Sequence, residues 1–160
     1  MHESARRILE SFDRLGHSRL TAADFADACG LRGGANEANG HASAEAAIRD
    51  LVAAGALREI AGGYERTEFG RLEAADRLTL TLLGRRGCHL CQEVLVWLEP
   101  LVARLGVTLR KVDVDTDGVL RERYGNEVPV LFLGARELAR NHFEAPLVEK
   151  SVKMARQASR

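Results

Sequence analysis

Cys88 and Cys91 are the residues of this sequence whose types and spacing most directly indicate chemistry. They form the tetrapeptide Cys-His-Leu-Cys, and the third cysteine, Cys29, lies far upstream. A thiolate attacks a disulfide to give a mixed disulfide, which a second thiol close by then resolves. Two residues between the cysteines allow this closure on the first turn of a helix. A CxxC pair outside a disulfide framework is typically redox-active or metal-binding.

A structural zinc site is the main alternative for this pair, and it requires two further Cys or His ligands. The remaining candidates, Cys29, His41 and His142, show no ligand spacing. We therefore predict no metal. Cys29 falls on the apolar face of a predicted helix and is interpreted as a core thiol.

The segments on either side of the pair predict how it is positioned. Residues 78–83 are apolar and β-favouring, which predicts a buried strand, and the turn Gly-Arg-Arg-Gly follows. From Gln92 the apolar residues recur at helical spacing, with Pro100 expected to kink the helix. The sequence therefore predicts that the pair lies between the end of a strand and the first turn of a helix.

This position predicts different roles for the two cysteines. Cys88 lies at the helix N-terminus, where free N–H groups and the helix dipole favour a thiolate, and Arg85 and Arg86 add positive charge. We therefore predict that Cys88 is the nucleophile and that Cys91, one turn in, is the less exposed resolving thiol. For His89 we favour projection into solvent over modulation of Cys88.

The remaining C-terminal pattern predicts the order strand, helix, strand, helix, strand, strand, helix. After the first strand and helix, the predicted segments are residues 107–114, 118–124, 128–133, 137–140 and 145–156. Asp113, Asp115 and Asp117 are interpreted as strand-end turn and helix-cap residues rather than a calcium cluster. Trp97 and Phe132 are expected in the core.

The first half of the chain has a different pattern, so we predict two domains, residues 1–77 and 78–160. The first holds 10 basic and 13 acidic side chains, a formal charge of −3, and the second holds 13 and 10, a charge of +3. Helices are predicted from residue 8, after Thr21, from Ser43 and from Thr67 through Ala75, with a loop at residues 33–40. A hairpin is predicted over residues 56–66.

Three helices, a hairpin and a helix, with the segment Gly-Gly-Tyr-Glu-Arg-Thr-Glu-Phe-Gly, resemble a winged helix-turn-helix domain. The presumed recognition helix, residues 44–54, offers one cation, Arg49, beside Glu45 and Asp50. Phosphate contacts usually need several Lys or Arg. DNA is therefore not the favoured partner of this half, and a protein interaction is preferred.

Residues 78–153 resemble the glutaredoxin-like branch of the thioredoxin fold. The resemblance rests on Gly-Cys-His-Leu-Cys after the first strand, Val-Asp-Val-Asp ending the second, and Val-Pro-Val beginning the third. It implies an α/β thioredoxin-fold domain, which follows the α+β winged-helix-like domain that the first half resembles. It also implies a cis bond between Val128 and Pro129 against the cysteine pair, and a Val128 backbone offered to an extended substrate. The predicted substrate-binding residues are therefore Arg85, Arg86, His89, Val128 and Pro129.

Two departures bear on the cofactor implied by the resemblance. Leu90 stands where dithiol glutaredoxins typically have an aromatic residue, and Gly-Ala-Arg at residues 134–136 stands near an expected Gly-Gly pair. We therefore predict no bound cofactor and leave glutathione as an alternative reductant.

The overall composition excludes several classes of protein. The 23 basic and 23 acidic side chains cancel, which excludes a broadly basic nucleic-acid coat. No stretch approaches the roughly 18 apolar residues of a membrane span, and the N-terminus lacks the apolar core of a signal peptide. We expect a cytoplasmic protein with no membrane partner.

Three hypotheses of function follow, and the last of them is a purely structural or scaffold protein whose CxxC pair is vestigial. The first is a thiol–disulfide oxidoreductase that acts on protein or small-molecule disulfides, with the N-terminal domain recruiting a partner. The second is a redox-responsive regulator in which the cysteine pair controls DNA binding by the winged-helix-like domain.

Overall fold

A computed structural model describes residues 3–28 and 37–158 of the chain, which divides into two compact units, Met1–Ala74 and Ala75–Arg160. The interpretation of Cys29 and the first part of the predicted loop fall on residues 29–36, outside the described residues. Each unit has its own buried core, and each is described by itself.

The N-terminal unit combines helices with a small antiparallel sheet. Its elements are α1 (Glu3–Leu15), β1 (Arg19–Leu20), α2 (Ala22–Ala28), α3 (Glu37–Ala53), β2 (Leu57–Ile60), β3 (Gly63–Arg66) and α4 (Glu68–Glu73). The strand order in the sheet is β1-β3-β2. The two-residue β1 was not predicted, because its pairing with β3 comes from residues more than forty positions away.

Two predictions for this unit were wrong at their boundaries. Helix α3 begins at Glu37, so Asn39 and Gly40 lie in the helix rather than a loop, and Ser43 lies inside it rather than capping it. Asparagine and glycine have low helix propensity, but propensity alone does not forbid a helix. Helix α4 ends at Glu73 and does not reach Ala75.

Long-range contacts hold the N-terminal unit together. The Phe12 and Phe25 rings pack with centroids 5.7 Å apart. The Arg66 guanidinium donates hydrogen bonds to both carboxylate oxygens of Asp13 and to the Leu9 carbonyl, and it lies over the Phe12 ring. Thr67 caps α4 by accepting a hydrogen bond from the Gly70 N–H, which confirms the predicted cap.

The C-terminal unit is a four-stranded sheet with helices. Its elements are β4 (Thr79–Gly84), α5 (His89–Leu105), β5 (Thr108–Asp113), a 3₁₀ turn (Val114–Thr116), α6 (Gly118–Tyr124), β6 (Val130–Leu133), β7 (Arg136–Arg140) and α7 (Ala145–Gln157). The strand order is β5-β4-β6-β7, with β4 and β5 parallel and the other pairs antiparallel. The pattern is that of a thioredoxin-like fold.

Strand residues alternate between the two faces of this sheet, and helices cover both faces. Leu80 and Leu82 share the core cluster with residues of β6, α5 and α7. Thr81 and Leu83 are also buried and point to the opposite face, where the rings of Tyr124 on α6 and Phe132 on β6 meet edge to face at 5.5 Å. The central strand β4 is therefore buried on both sides, which fixes the position of the chain where it leaves the sheet.

Several C-terminal boundaries differ from the predictions by one or two residues. Val107 and Val114 lie outside β5, and Val128 and Pro129 precede β6 rather than belong to it. Helix α5 runs through Pro100 to Leu105. Phe132 is buried, and Trp97 packs at the edge of the core against Phe143.

Among the described residues, none of the helices combines the length and hydropathy needed to span a bilayer.

Leu131 provides a test of the C-terminal core. It is 0% exposed in β6, so Leu131→Ala should lower the free energy of unfolding by about 2–5 kcal/mol through lost burial and a residual cavity. Leu147→Ala deletes the same atoms at a site that is 39% exposed, and it should cost less than about 1 kcal/mol. Denaturant unfolding followed by fluorescence of the chain's single tryptophan, Trp97, measures both. Equal losses would contradict this description of the core.

Candidate functional site

A tight turn delivers Cys88 from the end of β4 to the start of α5. The Cys88 N–H donates a hydrogen bond to the Arg85 carbonyl at 3.1 Å, and Gly87 has φ +78°. A type II turn needs a positive φ at this third position, where glycine is favoured. The Gly-Arg-Arg-Gly sequence therefore determines where the first cysteine stands.

Cys88 is the N-cap residue of α5. Its Sγ accepts a hydrogen bond from the Cys91 N–H at 3.2 Å. The two sulfurs form a disulfide with an S–S distance of 2.10 Å, and the Cα atoms are 5.3 Å apart. Cys91 is 6% exposed, whereas Cys88 is half-buried. Cys88 is thus the more exposed cysteine of the pair, and its sulfur lies where backbone N–H groups stabilise a thiolate.

Gly84, the last residue of β4, forms the surface on which the buried cysteine rests. A Cβ atom at Gly84 would lie 3.3 Å from the Cys91 Sγ and 3.5 Å from its Cβ. The distance to Sγ is shorter than most van der Waals contacts, so the absence of a side chain at Gly84 makes room for Cys91. The sequence pattern predicts Gly84 only as part of a turn, because its contact with Cys91 depends on the tertiary structure.

Val128 and Pro129 lie at the same end of the sheet. Leu83 pairs with Val130 in the antiparallel register, which places Pro129 beside Gly84. The Val128–Pro129 bond is cis, as the resemblance implies. The Pro129 carbonyl accepts a hydrogen bond from the Asn141 N–H at 2.8 Å, whereas the Val128 N–H and C=O have no hydrogen-bond partner among residues 3–28 and 37–158.

Arg85 is held by a carboxylate from the 3₁₀ turn that follows β5. Its Nε and Nη2 donate to the two oxygens of Asp115 at 2.8 and 2.9 Å. The Asp115 N–H in turn donates to Asp113 Oδ1 at 3.0 Å. The hydrogen bonds to Asp115 raise the pKa of the Arg85 guanidinium above its usual value. The sequence predicted the turn at Asp113 but not this contact, because Asp115 is thirty residues from Arg85.

The other residues predicted near the pair face solvent. Arg86 is exposed, and within the described part of the chain it has no ion-pair or hydrogen-bond partner. The His89 side chain is 81% exposed, as the favoured interpretation had it, with Nδ1 3.1 Å from Glu93 Oε1. Leu90, between the cysteines, is 50% exposed.

The acidic residues after β5 serve the backbone. Asp113 caps the 3₁₀ turn, and Asp117 caps α6 by accepting hydrogen bonds from the N–H groups of Val119 and Leu120. Over the described ranges, His, Cys, Asp and Glu side chains form no group of three suited to a metal ion.

The fold and the cysteine pair together define a thioredoxin-like domain with a dithiol–disulfide site. Residues 79–153 match the family model described as glutaredoxin-like domain (DUF836), which spans just under half of the chain. The C-terminal unit is therefore a glutaredoxin-like domain, and this family indicates a thiol-redox role.

A solved structure is similar to part of this chain. The solution NMR structure of protein Ne2328 from Nitrosomonas europaea matches this chain with 28% sequence identity and a TM-score of 0.42. The match covers 47% of this chain and 91% of the Ne2328 chain. No curated protein matches the chain.

The contact between Gly84 and Cys91 predicts an effect on the redox equilibrium. The methyl group that Gly84→Ala introduces crowds the Cys91 sulfur. In the reduced protein this sulfur is a free thiol and can move away, whereas in the oxidised protein its bond to Cys88 restrains it. The variant should therefore disfavour the disulfide and raise the reduction potential by roughly 10–30 mV. Equilibration in dithiothreitol redox buffers measures this shift. Gly118→Ala is the control, because a Cβ there meets nothing within 4 Å; equal potentials in both variants would exclude the crowding effect.

Proposed function

We propose that the protein is a thiol–disulfide oxidoreductase in which Cys88 is the nucleophile and Cys91 the resolving thiol. One observation carries the proposal: the sulfur of the half-buried Cys88 caps α5 and is bonded to the sulfur of the buried Cys91. An accessible thiolate and a protected second thiol are the two groups that dithiol exchange needs.

The reaction proceeds in two balanced exchanges. The Cys88 thiolate attacks one sulfur of a substrate disulfide, forms a mixed disulfide and releases the other substrate sulfur as a thiolate. The Cys91 thiolate then attacks the Cys88 sulfur, closes the Cys88–Cys91 disulfide and releases the second substrate thiolate. The substrate gains two electrons and the cysteine pair loses two. A thiol reductant, either glutathione or a protein dithiol, reverses these steps on the enzyme.

The surrounding residues have separate tasks in this scheme. Val128 offers its N–H and C=O, which have no partner among the described residues, to an extended substrate segment, and Pro129 lies beside Gly84. Arg86 and His89 face the solvent from which the substrate approaches. Arg85, also predicted to bind substrate, contributes by holding the turn through Asp115. The reaction needs no bound cofactor or metal, and it suits the cytoplasm, where thiols are kept reduced.

The N-terminal unit is assigned to partner binding. The β1-β3-β2 sheet with the helix order of this unit supports the resemblance to a winged helix. Helix α3, the presumed recognition helix, exposes Glu45 and Asp50 beside Arg49. Adjacent carboxylates repel phosphates, so a protein partner is favoured over DNA.

Redox-controlled DNA binding is the second candidate, and the same sheet order supports it. Gel retardation of fragmented genomic DNA at low salt, with oxidised and reduced protein, distinguishes the DNA-binding regulator from the oxidoreductase. We expect no retardation in either state, because α3 lacks a cluster of cations. Salt-sensitive retardation that differs between the two states would favour the regulator instead.

Substitution of the cysteines tests the oxidoreductase assignment. Cys88→Ser should abolish reduction of disulfide substrates, because it removes the attacking sulfur. Cys91→Ser should retain attack but accumulate mixed disulfides on Cys88, which mass spectrometry detects. Cys29→Ser is the matched control and should keep the wild-type rate. A wild-type rate in Cys88→Ser would refute the assignment.

A further inference from the structure

The adjacent arginines Arg85 and Arg86 have different surroundings, although the sequence pattern alone does not distinguish them. Both oxygens of Asp115 bind the Arg85 guanidinium. A Cβ atom at Gly125 would lie 3.0 Å from Arg85 Nη2, so the guanidinium also packs against the end of α6. Arg86, the next residue, projects into solvent and has no partner among the described residues. Arg85 is therefore committed to the fold, and Arg86 is available to a ligand.

The carboxylates around the cysteine pair do not supply a partner for Arg86. Asp115 binds Arg85, Glu127 beside Val128 binds Arg140, and Glu93 lies against His89. Each of these side chains is thus engaged by a group other than Arg86. An exposed guanidinium close to the reactive sulfur can bind a carboxylate from outside in a bidentate geometry.

Two further features lie at the same end of the sheet as Cys88. Leu90 is half exposed between the cysteines, so a large apolar side chain faces solvent beside Cys88. The Val128 N–H and C=O, just before β6, have no partner among the described residues, and an extended segment can form strand-like hydrogen bonds with them. Arg86, Leu90 and the Val128 backbone are called here the substrate-facing surface.

We propose that the substrate-facing surface binds an extended protein segment that carries a carboxylate next to its disulfide-bonded cysteine. This inference rests on the proposed function. Arg86 binds the carboxylate, Leu90 contacts an apolar side chain, and Val128 pairs with the backbone of the segment. A protein segment can make all three contacts, and charge complementarity with the unpaired Arg86 specifies its acidic character.

Peptide disulfides that differ in one charge test this inference. Two disulfide-linked peptide dimers are compared, one with Glu and one with Gln next to cysteine, and the initial rate of their reduction by the reduced protein is measured at low salt. Both rates are divided by those of dithiothreitol, which corrects for intrinsic reactivity. We expect wild type to prefer the Glu peptide by about two- to fivefold, as for an exposed ion pair, and added salt to weaken the preference.

Three arginine variants locate the effect. Arg86→Gln should bring the Glu-to-Gln rate ratio to about one, whereas Arg85→Gln should keep the ratio even if both rates fall, because its side chain serves the turn. The ratio between peptides is insensitive to any change in the reactivity of Cys88, which affects both substrates equally. Arg136→Gln should change neither rate nor ratio, because Arg136 pairs with Leu133 at the opposite end of the sheet.

Each outcome decides a specific point. The assignment of the carboxylate site to Arg86 is overturned if the Arg86→Gln variant still prefers the Glu peptide. It is also overturned if Arg85→Gln removes that preference instead. If glutathione disulfide is reduced as fast as the Glu peptide, and if Leu90→Ala slows neither reaction, the substrate is a small acidic disulfide. This result overturns the proposal of an extended protein segment. Exchange with every substrate but no charge preference overturns this inference alone. No exchange with any disulfide overturns the proposed function itself.

Discussion

The site depends on the close contact between the end of strand β4 and the buried cysteine. Gly84 leaves space for the Cys91 sulfur, and the type II turn that follows places Cys88 at the N-terminus of α5. Because β4 is buried on both faces, this junction has little freedom to move. The sulfur pair is thus positioned by the strand before it as much as by its own two-residue spacing.

The charges around the junction have distinct structural tasks. Arg85 and Asp115 join the turn before Cys88 to the segment after β5. Since that guanidinium is neutralised by a carboxylate, it adds less positive potential at Cys88 than its position in the sequence indicates. Arg86 remains available to solvent. One arginine therefore stabilises the local structure, and its neighbour presents a charge to approaching molecules.

Local pattern was sufficient to predict much of the C-terminal unit. The apolar run at residues 78–83, the glycines of the turn and the helical spacing after Gln92 each encode conformation within a few residues. Predictions failed where local propensity was weak or the partner was distant: α3 begins six residues before the proposed Ser43 cap, and β1 exists only because β3 pairs with it.

The sequence alone determined the chemical character of the site: two cysteines at the spacing of a dithiol, at the start of a helix, in a segment that resembles glutaredoxins. Only the tertiary structure decided that Gly84 accommodates the Cys91 sulfur, and that Asp115 holds Arg85 while Arg86 has no partner among the described residues. The reason is physical. Residue type and short spacing set reactivity and local conformation, whereas burial and ion pairing depend on residues brought together by the sheet from thirty positions away.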